Sequence, residues 1–487
     1  MSRFRPIEAF EQSLNRGYSL LPLNFHRLPD QSIFMSNLTG EWLLLPDDVF
    51  RDFVQNSLSH QSPYYSKLKS KHFLVDDDSS VVFDLLALKA ATKLEHLVDS
   101  SALYIFVVTL RCEHSCPYCQ VSRQSDDKNA YDMSWDTAQS ALDIVFSSPA
   151  ARIKIEFQGG EPLINFDLIK RITTAARFRA DAENRDVQFV IASNLALLSD
   201  EVLDFCKAHG VLLSTSIDGP AELHNANRPR KGNDSYERAV SGIMRARGIL
   251  GQDRVSALMT TTKKSLQYPK EIVDTYRSLG FGEIFLRPLS PYGFAKKTKW
   301  FDAYTQSDWL QFYFDGLDYI ISLNIAGERM VELYASTILM KMLTPYPGRF
   351  VDMMNPAGIG TQVLVFNYDG LVYASDESRM LAEMGDRTFA VGQIGNSSIE
   401  SIVLSDQILT AVEASYLESA PMCETCAFSS YCGADPVFHH ATQGDFLGLK
   451  PFSGFCERQM SIFEGIVLRM KQSPAVEEIF RSWVSNA

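Results

Sequence analysis

Between about residues 100 and 290, short apolar runs alternate with amphipathic stretches. "ALYIFVVTL" (102–110), "RIKIEF" (152–157), "VQFVIAS" (187–193) and "VLLSTSI" (211–217) read as buried strands, and "RVSALMTTT" (254–262) and "EIFLRPL" (283–289) continue the series. Between them, residues near 134–147, 166–182, 199–208, 235–250 and 269–279 carry helical spacing, with Ser134 and Asp200 as caps at two of the starts. Strands alternating with helices predict an α/β fold with a parallel sheet, here a partial (β/α)6 barrel over residues 99–300. Parallel barrels place their chemistry on the loops that follow the strands.

The flanking regions have another texture. Residues 1–98 predict a small α+β module, with antiparallel strands in "YSLLPLNFHRL" and "SIFMSNLTGEWLLLP" and a helix near "DDVFRDFVQNSL". The acidic "DDDSS" (76–80) reads as a solvated linker to the barrel. Residues 301–350 read as a helical bridge, and 351–487 as a further domain ending in a helix. Within it, "TQVLVFNYDGLVYAS" (361–375) predicts a hairpin turning at Asp369-Gly370. No internal repeat is evident.

Composition narrows the class. With 46% hydrophobic and 22% charged residues, 487 residues make a globular protein with ample core. The formal net charge of −13 argues against a nucleic-acid partner. No apolar run approaches a bilayer span, and "MSRFRPIEAFEQ" lacks a signal-peptide core, so the expectation is a cytoplasmic protein without membrane contact.

Eight cysteines are too few for a disulfide scaffold, and seven of them fall into two groups. Cys112, Cys116 and Cys119, in "RCEHSCPYCQ", directly follow the first barrel strand. A structural zinc needs a fourth ligand, for which His114 is the nearest candidate. A [4Fe–4S] cluster with one open iron explains three cysteines without a fourth. Cys423, Cys426, Cys432 and Cys456 form the second group, spaced Cys-x2-Cys-x5-Cys-x23-Cys, which suits zinc or an iron–sulfur cluster. Cys206, in "VLDFCKAHG", reads as a buried small hydrophobe.

The triplet, with Tyr118 before its last cysteine, resembles the radical S-adenosylmethionine (SAM) enzymes. "FQGGEPL" (157–163), "ASNLALL" and "STSIDGPAELHNANRP", each after a successive strand, match motifs of that family; Ser193 and Leu195 depart from its Thr-Asn-Gly stretch. The resemblance implies that Cys112, Cys116 and Cys119 hold a [4Fe–4S] cluster whose open iron binds SAM. It implies that Gly159, Gly160 and Glu161 meet the methionyl ammonium. Asn194, Ser216, Asp218 and Arg228 would line the rest of the cofactor site, with Arg287 reaching the adenosyl pocket. The second cysteine group resembles a reduced SPASM extension. Asn355, Ser375 and Pro436 stand where that extension has further cysteines, which implies one auxiliary [4Fe–4S] cluster with four cysteine ligands. Asp376 and Glu377, in "YASDESRML", follow the hairpin near that vacated position. They are candidates to deprotonate substrate or bind a basic peptide, with a salt bridge to Arg379 as the alternative. His439 and His440 read as structural.

The whole run, including "FVVTLRCEHSCPYCQVSRQ" and "CGADPVFHHATQGDFLG", resembles the His-Xaa-Ser system radical SAM maturases. This implies a ribosomally made precursor peptide as substrate, an intrapeptide cross-link as product, and a flavodoxin or ferredoxin as reductant. It also implies a second radical SAM protein of the same system as a partner. The N-terminal module resembles the winged-helix precursor-recognition element of peptide maturases. The alternatives are sulfatase-maturase-like oxidation of a serine or cysteine, and a zinc-stapled peptide-binding scaffold without catalysis.

Overall fold

A computed structural model describes residues 17–77, 79, 81–97 and 102–485. The expected boundary at 98/99 lies outside them. Near the N-terminus, β1 (Ser19–Leu20) pairs with β5 (Leu74–Val75), while β2 (Asn24–Arg27), β3 (Ile33–Ser36) and β4 (Trp42–Leu45) form an antiparallel sheet. Helices α1 (Asp47–Val54), α2 (Tyr65–Ser70) and α3 (Val82–Leu94) complete this region. Ile33, Met35, Phe53 and Phe73 belong to a core of its own, whereas Leu28 and Phe34 join the main core. The "DDDSS" linker is not simply solvated: Asp76 pairs with Lys69 at 2.7 Å. Asp78 and Ser80 lie outside the described residues.

The main sheet follows the expected alternation. Parallel strands β6 (Leu103–Thr109), β7 (Arg152–Gly159), β8 (Asp186–Ala192), β9 (Leu212–Ser216) and β10 (Val255–Leu258) are separated by helices, including α4 (Trp135–Ser147), α5 (Phe166–Glu183), α6 (Asp200–His209), α7 (Ala221–Asn227) and α8 (Ser235–Leu250). Ser134 caps α4 as expected, accepting the Thr137 N–H. The cap of α6 is Ser199, which accepts the Val202 N–H, and not Asp200, which is the first helical residue.

Burial explains why these strands enclose a site and not only a core. Along β7, Ile153, Ile155 and Phe157 are buried, while Lys154, Glu156 and Gln158 alternate with them on the other face. On β9, Leu213 and Thr215 are buried between the less buried Ser214 and Ser216. The lumen is therefore polar. β6 is apolar on both faces because Tyr104, Phe106 and Val108 meet the main core, while Ile105 and Val107 meet Val363, Val365 and Tyr373.

Two arrangements differ from the sequence expectation. In the sixth barrel segment, only β11 (Glu283–Ile284) is paired, in parallel with β12 (Val331–Glu332). Farther along, the Leu286 N–H goes to the Glu332 carboxylate at 3.1 Å, and Pro288 has no N–H to give. The segment stays linked to the barrel through the Thr261 N–H, which donates to the Arg287 carbonyl at 3.1 Å. The hairpin forms as expected from β13 (Val363–Phe366) and β14 (Leu371–Tyr373), but it belongs to the barrel sheet. β13 pairs in parallel with β6, and β15 (Ala390–Gln393) closes the order β10-β9-β8-β7-β6-β13-β14-β15. Helices α9 (Gln306–Ile325), α10 (Leu333–Leu343), α11 (Asp376–Ala382), α12 (Pro436–Gln443), α13 (Gly454–Gln472) and α14 (Pro474–Ser485) pack around it. No helix among the described residues is long and apolar enough to cross a membrane.

Candidate active site

The loop after β6 carries the cysteine triplet into a cavity of about 320 Å³ at the C-terminal ends of the parallel strands. Its root is fixed by Arg111, which donates to Asp132 through Nε (2.8 Å) and Nη2 (2.7 Å). Farther along, the Ser115 N–H reaches the Pro229 carbonyl at 2.7 Å, and the Tyr118 hydroxyl donates to Asp218 at 2.6 Å. Cys112, Cys116 and Cys119 all line the cavity. Burial pushes the Cys116 thiol up to about 12 and raises Cys112 as well. His114 is buried; its Nδ1 lies 3.0 Å from Glu113 and 3.0 Å from the Asn194 amide. The donor atoms of Cys112, Glu113 and His114 lie within 4.8 Å of one another, but no such compact group includes Cys116 or Cys119 among the described residues. A three-cysteine, one-histidine zinc tetrahedron is therefore not preformed.

The glycines of "FQGGEPL" have a more specific role than approach to a ligand. Their N-terminal neighbour strand lies against them: a Cβ on Gly159 would overlap the Thr109 carbonyl oxygen, and one on Gly160 the Arg111 carbonyl oxygen. The Gly160 N–H donates to Thr109 (2.9 Å) and the Glu161 N–H to Arg111 (2.8 Å), so this loop clasps the root of the cysteine loop. Both glycines still line the cavity. The Glu161 carboxylate is buried and held by its own loop and by the next strand end. It accepts from the Leu163 N–H (3.0 Å), the Ser193 hydroxyl (2.7 Å) and the Asn194 N–H (2.9 Å), tying β7 to β8. Burial and the nearby Glu113 push its carboxyl up to about 8. Asn194 lines the cavity, and Leu195 adopts the left-handed φ of 61° usual for glycine. Gly242 of α8 makes room for it; a Cβ there would stand 2.7 Å from that of Leu195.

Ser216 and Arg228 line the cavity, but Asp218 acts behind them. Fully buried, Asp218 accepts from Tyr118, from Arg228 (3.0 and 3.1 Å) and from the Thr260 N–H at 3.3 Å. Both of its oxygens accept from groups of the protein. Arg287 reaches the cavity as expected, paired there with Asp352 and lying 3.6 Å from Glu377. Asp376 makes its ion pair with Arg379 at 3.3 Å. Glu377 faces the cavity, its carboxyl raised well above the usual range by burial and by Asp352 and Asp376. Glu156, Gln158, Arg123 and Tyr292 also line it and were missed. The polar alternation in "RIKIEFQG" would have revealed the first two.

The second group lies in the C-terminal region, with Cys423 and Cys432 packed against a core of Leu417, Ala434, Phe438 and Phe455. Cys423, Cys426, Cys432 and Cys456 act on one another electrostatically, and burial pushes Cys423 and Cys456 up to about 11. The N-terminal module holds their loop: Ser36 donates to the Ala427 carbonyl (2.5 Å), Ser430 to Asn37 (3.1 Å) and Tyr431 to Gly40 (2.9 Å). Phe428 N–H reaches the Cys426 sulfur at 3.4 Å. His439 and His440 are structural, bonded to Asp435 and Ser453, and to Asp386. Cys206 is fully buried.

Comparison with known proteins agrees with this geometry. Residues 106–279 match the Radical SAM superfamily. An uncharacterized protein of Methanocaldococcus jannaschii is 32% identical over 198 residues, 40% of this chain and 65% of that protein's length. The cysteine-type anaerobic sulfatase-maturating enzyme of Clostridium perfringens is 24% identical over 274 residues, 54% of this chain and 71% of the enzyme. Among solved structures, native anSMEcpe with bound AdoMet superposes with a TM-score of 0.64 at 18% identity, covering 78% of this chain and 99% of that one. SuiB of Streptococcus suis does so with a TM-score of 0.51 at 11% identity, covering 88% and 98%. Fold, motif order and the cysteine-lined cavity all agree with the similarity of residues 106–279 to the Radical SAM superfamily.

Proposed function

We propose that the chain is a radical SAM enzyme that modifies a ribosomally made precursor peptide of the His-Xaa-Ser type and forms an intrapeptide cross-link. The observation that carries this reading is the rim of the cavity. Three thiols line it, with the strand-end polar groups of Gly159, Gly160, Asn194, Ser216 and Arg228 around them. Cys112, Cys116 and Cys119 would hold a [4Fe–4S] cluster, and the strand ends would hold SAM. When bound, this pair supplies a 5′-deoxyadenosyl radical as hydrogen-abstracting agent. The chain's own groups then orient the peptide and take up its proton. Glu377 suits the second task, because its carboxylate faces the cavity and burial with Asp352 and Asp376 nearby raises its proton affinity. Asp376, held by Arg379, and Arg287 position it.

For the second group we favour an auxiliary [4Fe–4S] cluster over zinc. Tetrahedral zinc–thiolate bonds of about 2.3 Å place sulfurs roughly 4 Å apart. No three of these four thiols lie within 4.8 Å of one another. Peptide recognition is assigned to the N-terminal module. β4 is an edge strand beside a groove of about 810 Å³, into which α3 exposes Leu88 (64%). An extended leader segment could pair with that edge.

Anaerobic reconstitution tests the chemistry. About eight irons per chain are expected, with 5′-deoxyadenosine released on reduction and abolished by Cys116→Ala. Bound zinc with no SAM cleavage would refute the reading. Co-expression with a His-Xaa-Ser precursor should remove two hydrogens from the peptide. The sequence similarity to the Clostridium perfringens enzyme favours a second reading, oxidation of a serine or cysteine in a protein substrate. An aldehyde product that reacts with hydrazine would support it; a cross-link would not react.

A further inference from the structure

Two buried ammonium groups flank the second cysteine group, and neither has a role in the reading above. Lys341 of α10 is 6% exposed and Lys450 is 3% exposed. Among the described residues, neither side chain makes an ion pair with a carboxylate. Each is instead anchored by a backbone carbonyl. Lys341 donates to Met353 at 2.7 Å, and Lys450 donates to Leu447. Lys341 interacts electrostatically with Cys432 and, less strongly, Asp352; Lys450 does so with Cys423 and Cys432 and, less strongly, Asp445 and Asp435.

The anchoring ties each charge to the backbone of a cysteine. The Met353 and Met354 carbonyls press on Gly433, next to Cys432; a Cβ on Gly433 would stand 2.6 Å from both oxygens. On the other side, the Lys450 carbonyl accepts from the Ser453 hydroxyl at 2.7 Å, and that hydroxyl accepts from the Cys456 N–H at 3.2 Å. The two lysines are thus held on separate elements, Lys341 near Cys432 and Lys450 near Cys423 and Cys432.

A buried ammonium costs several kcal/mol unless negative charge lies close by. Four thiolates around an oxidised [4Fe–4S] core of charge +2 sum to −2, which two lysines balance. Adding one electron takes the sum to −3, and both cations favour that step. We propose that Lys341 and Lys450 are positioning residues of the second cysteine site, fixed countercharges that balance a four-thiolate iron–sulfur centre and raise its reduction potential. The proposal rests on the iron–sulfur reading of that site.

The test uses the full chain carrying Cys112→Ala, Cys116→Ala and Cys119→Ala, reconstituted with iron and sulfide, so that only the second centre is observed. Iron content and the midpoint potential, followed by electron paramagnetic resonance, are compared for K341M, K450M, K341R, K450R and the control K93M. Each methionine variant should shift the potential downward by about tenfold in the oxidised-to-reduced ratio, roughly 59 mV for one electron. The arginine variants and K93M should keep the parent value. Potentials of K341M and K450M equal to that of K93M would overturn the proposal. If the methionine variants hold no iron, the arginine variants must still hold it; their failure would also overturn it. A parent without iron sinks the iron–sulfur reading itself, whereas iron with an unmoved potential sinks the countercharge alone.

Discussion

Replacing Asp218 should weaken the chain and the cysteine loop together. Asp218 is fully buried and receives the Tyr118 hydroxyl at 2.6 Å, the Arg228 guanidinium at 3.0 and 3.1 Å, and the Thr260 N–H at 3.3 Å. Burial alone would raise its carboxyl, but Arg228 and the hydrogen bonds outweigh burial and hold it below its ordinary value. Asp218→Ala leaves a nearly buried guanidinium and a buried phenol without their acceptor, a loss of about 3–5 kcal/mol for breaking one side of such a pair. Arg228→Met strands the carboxylate with a comparable loss. The double variant removes both charges, so the combined loss should fall short of the sum by about 2 kcal/mol or more. Urea unfolding of the four proteins measures this cycle. Because Tyr118 lies between Cys116 and Cys119, Asp218→Ala should also reduce the iron retained by the triplet although every thiol is present. A loss under about 1 kcal/mol, or strictly additive single losses, would refute this account of the buried pair.

Three other outcomes follow from particular contacts. Gly160→Ala should abolish iron binding at the triplet and lower the melting temperature, because its Cβ would meet the Arg111 carbonyl and stand 2.6 Å from that of Leu110, both backbone atoms; a normal iron content would refute this. Gly242→Ala should cost about 1–3 kcal/mol through overpacking against Leu195, and Leu195→Gly in the same chain should recover part of it, measured by thermal unfolding. His224 accepts the Asp218 N–H at 3.2 Å, and burial holds its ring down to about 4, against 6.5 unperturbed. The unfolded chain then binds the proton first, so His224 weakens the fold as pH falls from 6.5 toward 4 and has no such effect above 6.5. His224→Asn should remove about 2 kcal/mol of the loss between pH 7 and pH 5, read from urea midpoints at both values; an unchanged pH dependence would contradict the assignment.

Local patterns carried the barrel strands and the cysteine loop, because apolar runs and ligand spacing are written in neighbouring residues. Side-chain direction was not legible. "FQGGEPL" announced a loop at a strand end, but only the fold shows Glu161 bonded to Ser193 and Asn194, 32 and 33 residues away. Likewise, "SIDGP" marked Asp218 without revealing that Tyr118, 100 positions earlier, uses its oxygen. Parallel pairing of β6 with β13 joins Leu103 to Val363, a separation that leaves no trace in periodicity. The shortened sixth strand depended on Glu332 capturing one N–H, again a distant residue. The polar lumen residues were readable in principle: Glu156 and Gln158 alternate with Ile155 and Phe157 in a run read as a buried strand.

The insertion of β13 beside β6 bears on how this protein can be divided. Residues 106–279 carry the family match, yet β6 borrows its outer neighbour from residues 363–366. A fragment ending before the hairpin would present the bare backbone of an apolar strand to other chains, a template for intermolecular pairing. It would also uncover Ile105 and Val107. Limited proteolysis should therefore leave the two segments associated after a cut between them, and expression of the isolated segment should yield aggregates. The segment that carries the superfamily similarity is thus not a unit of folding on its own.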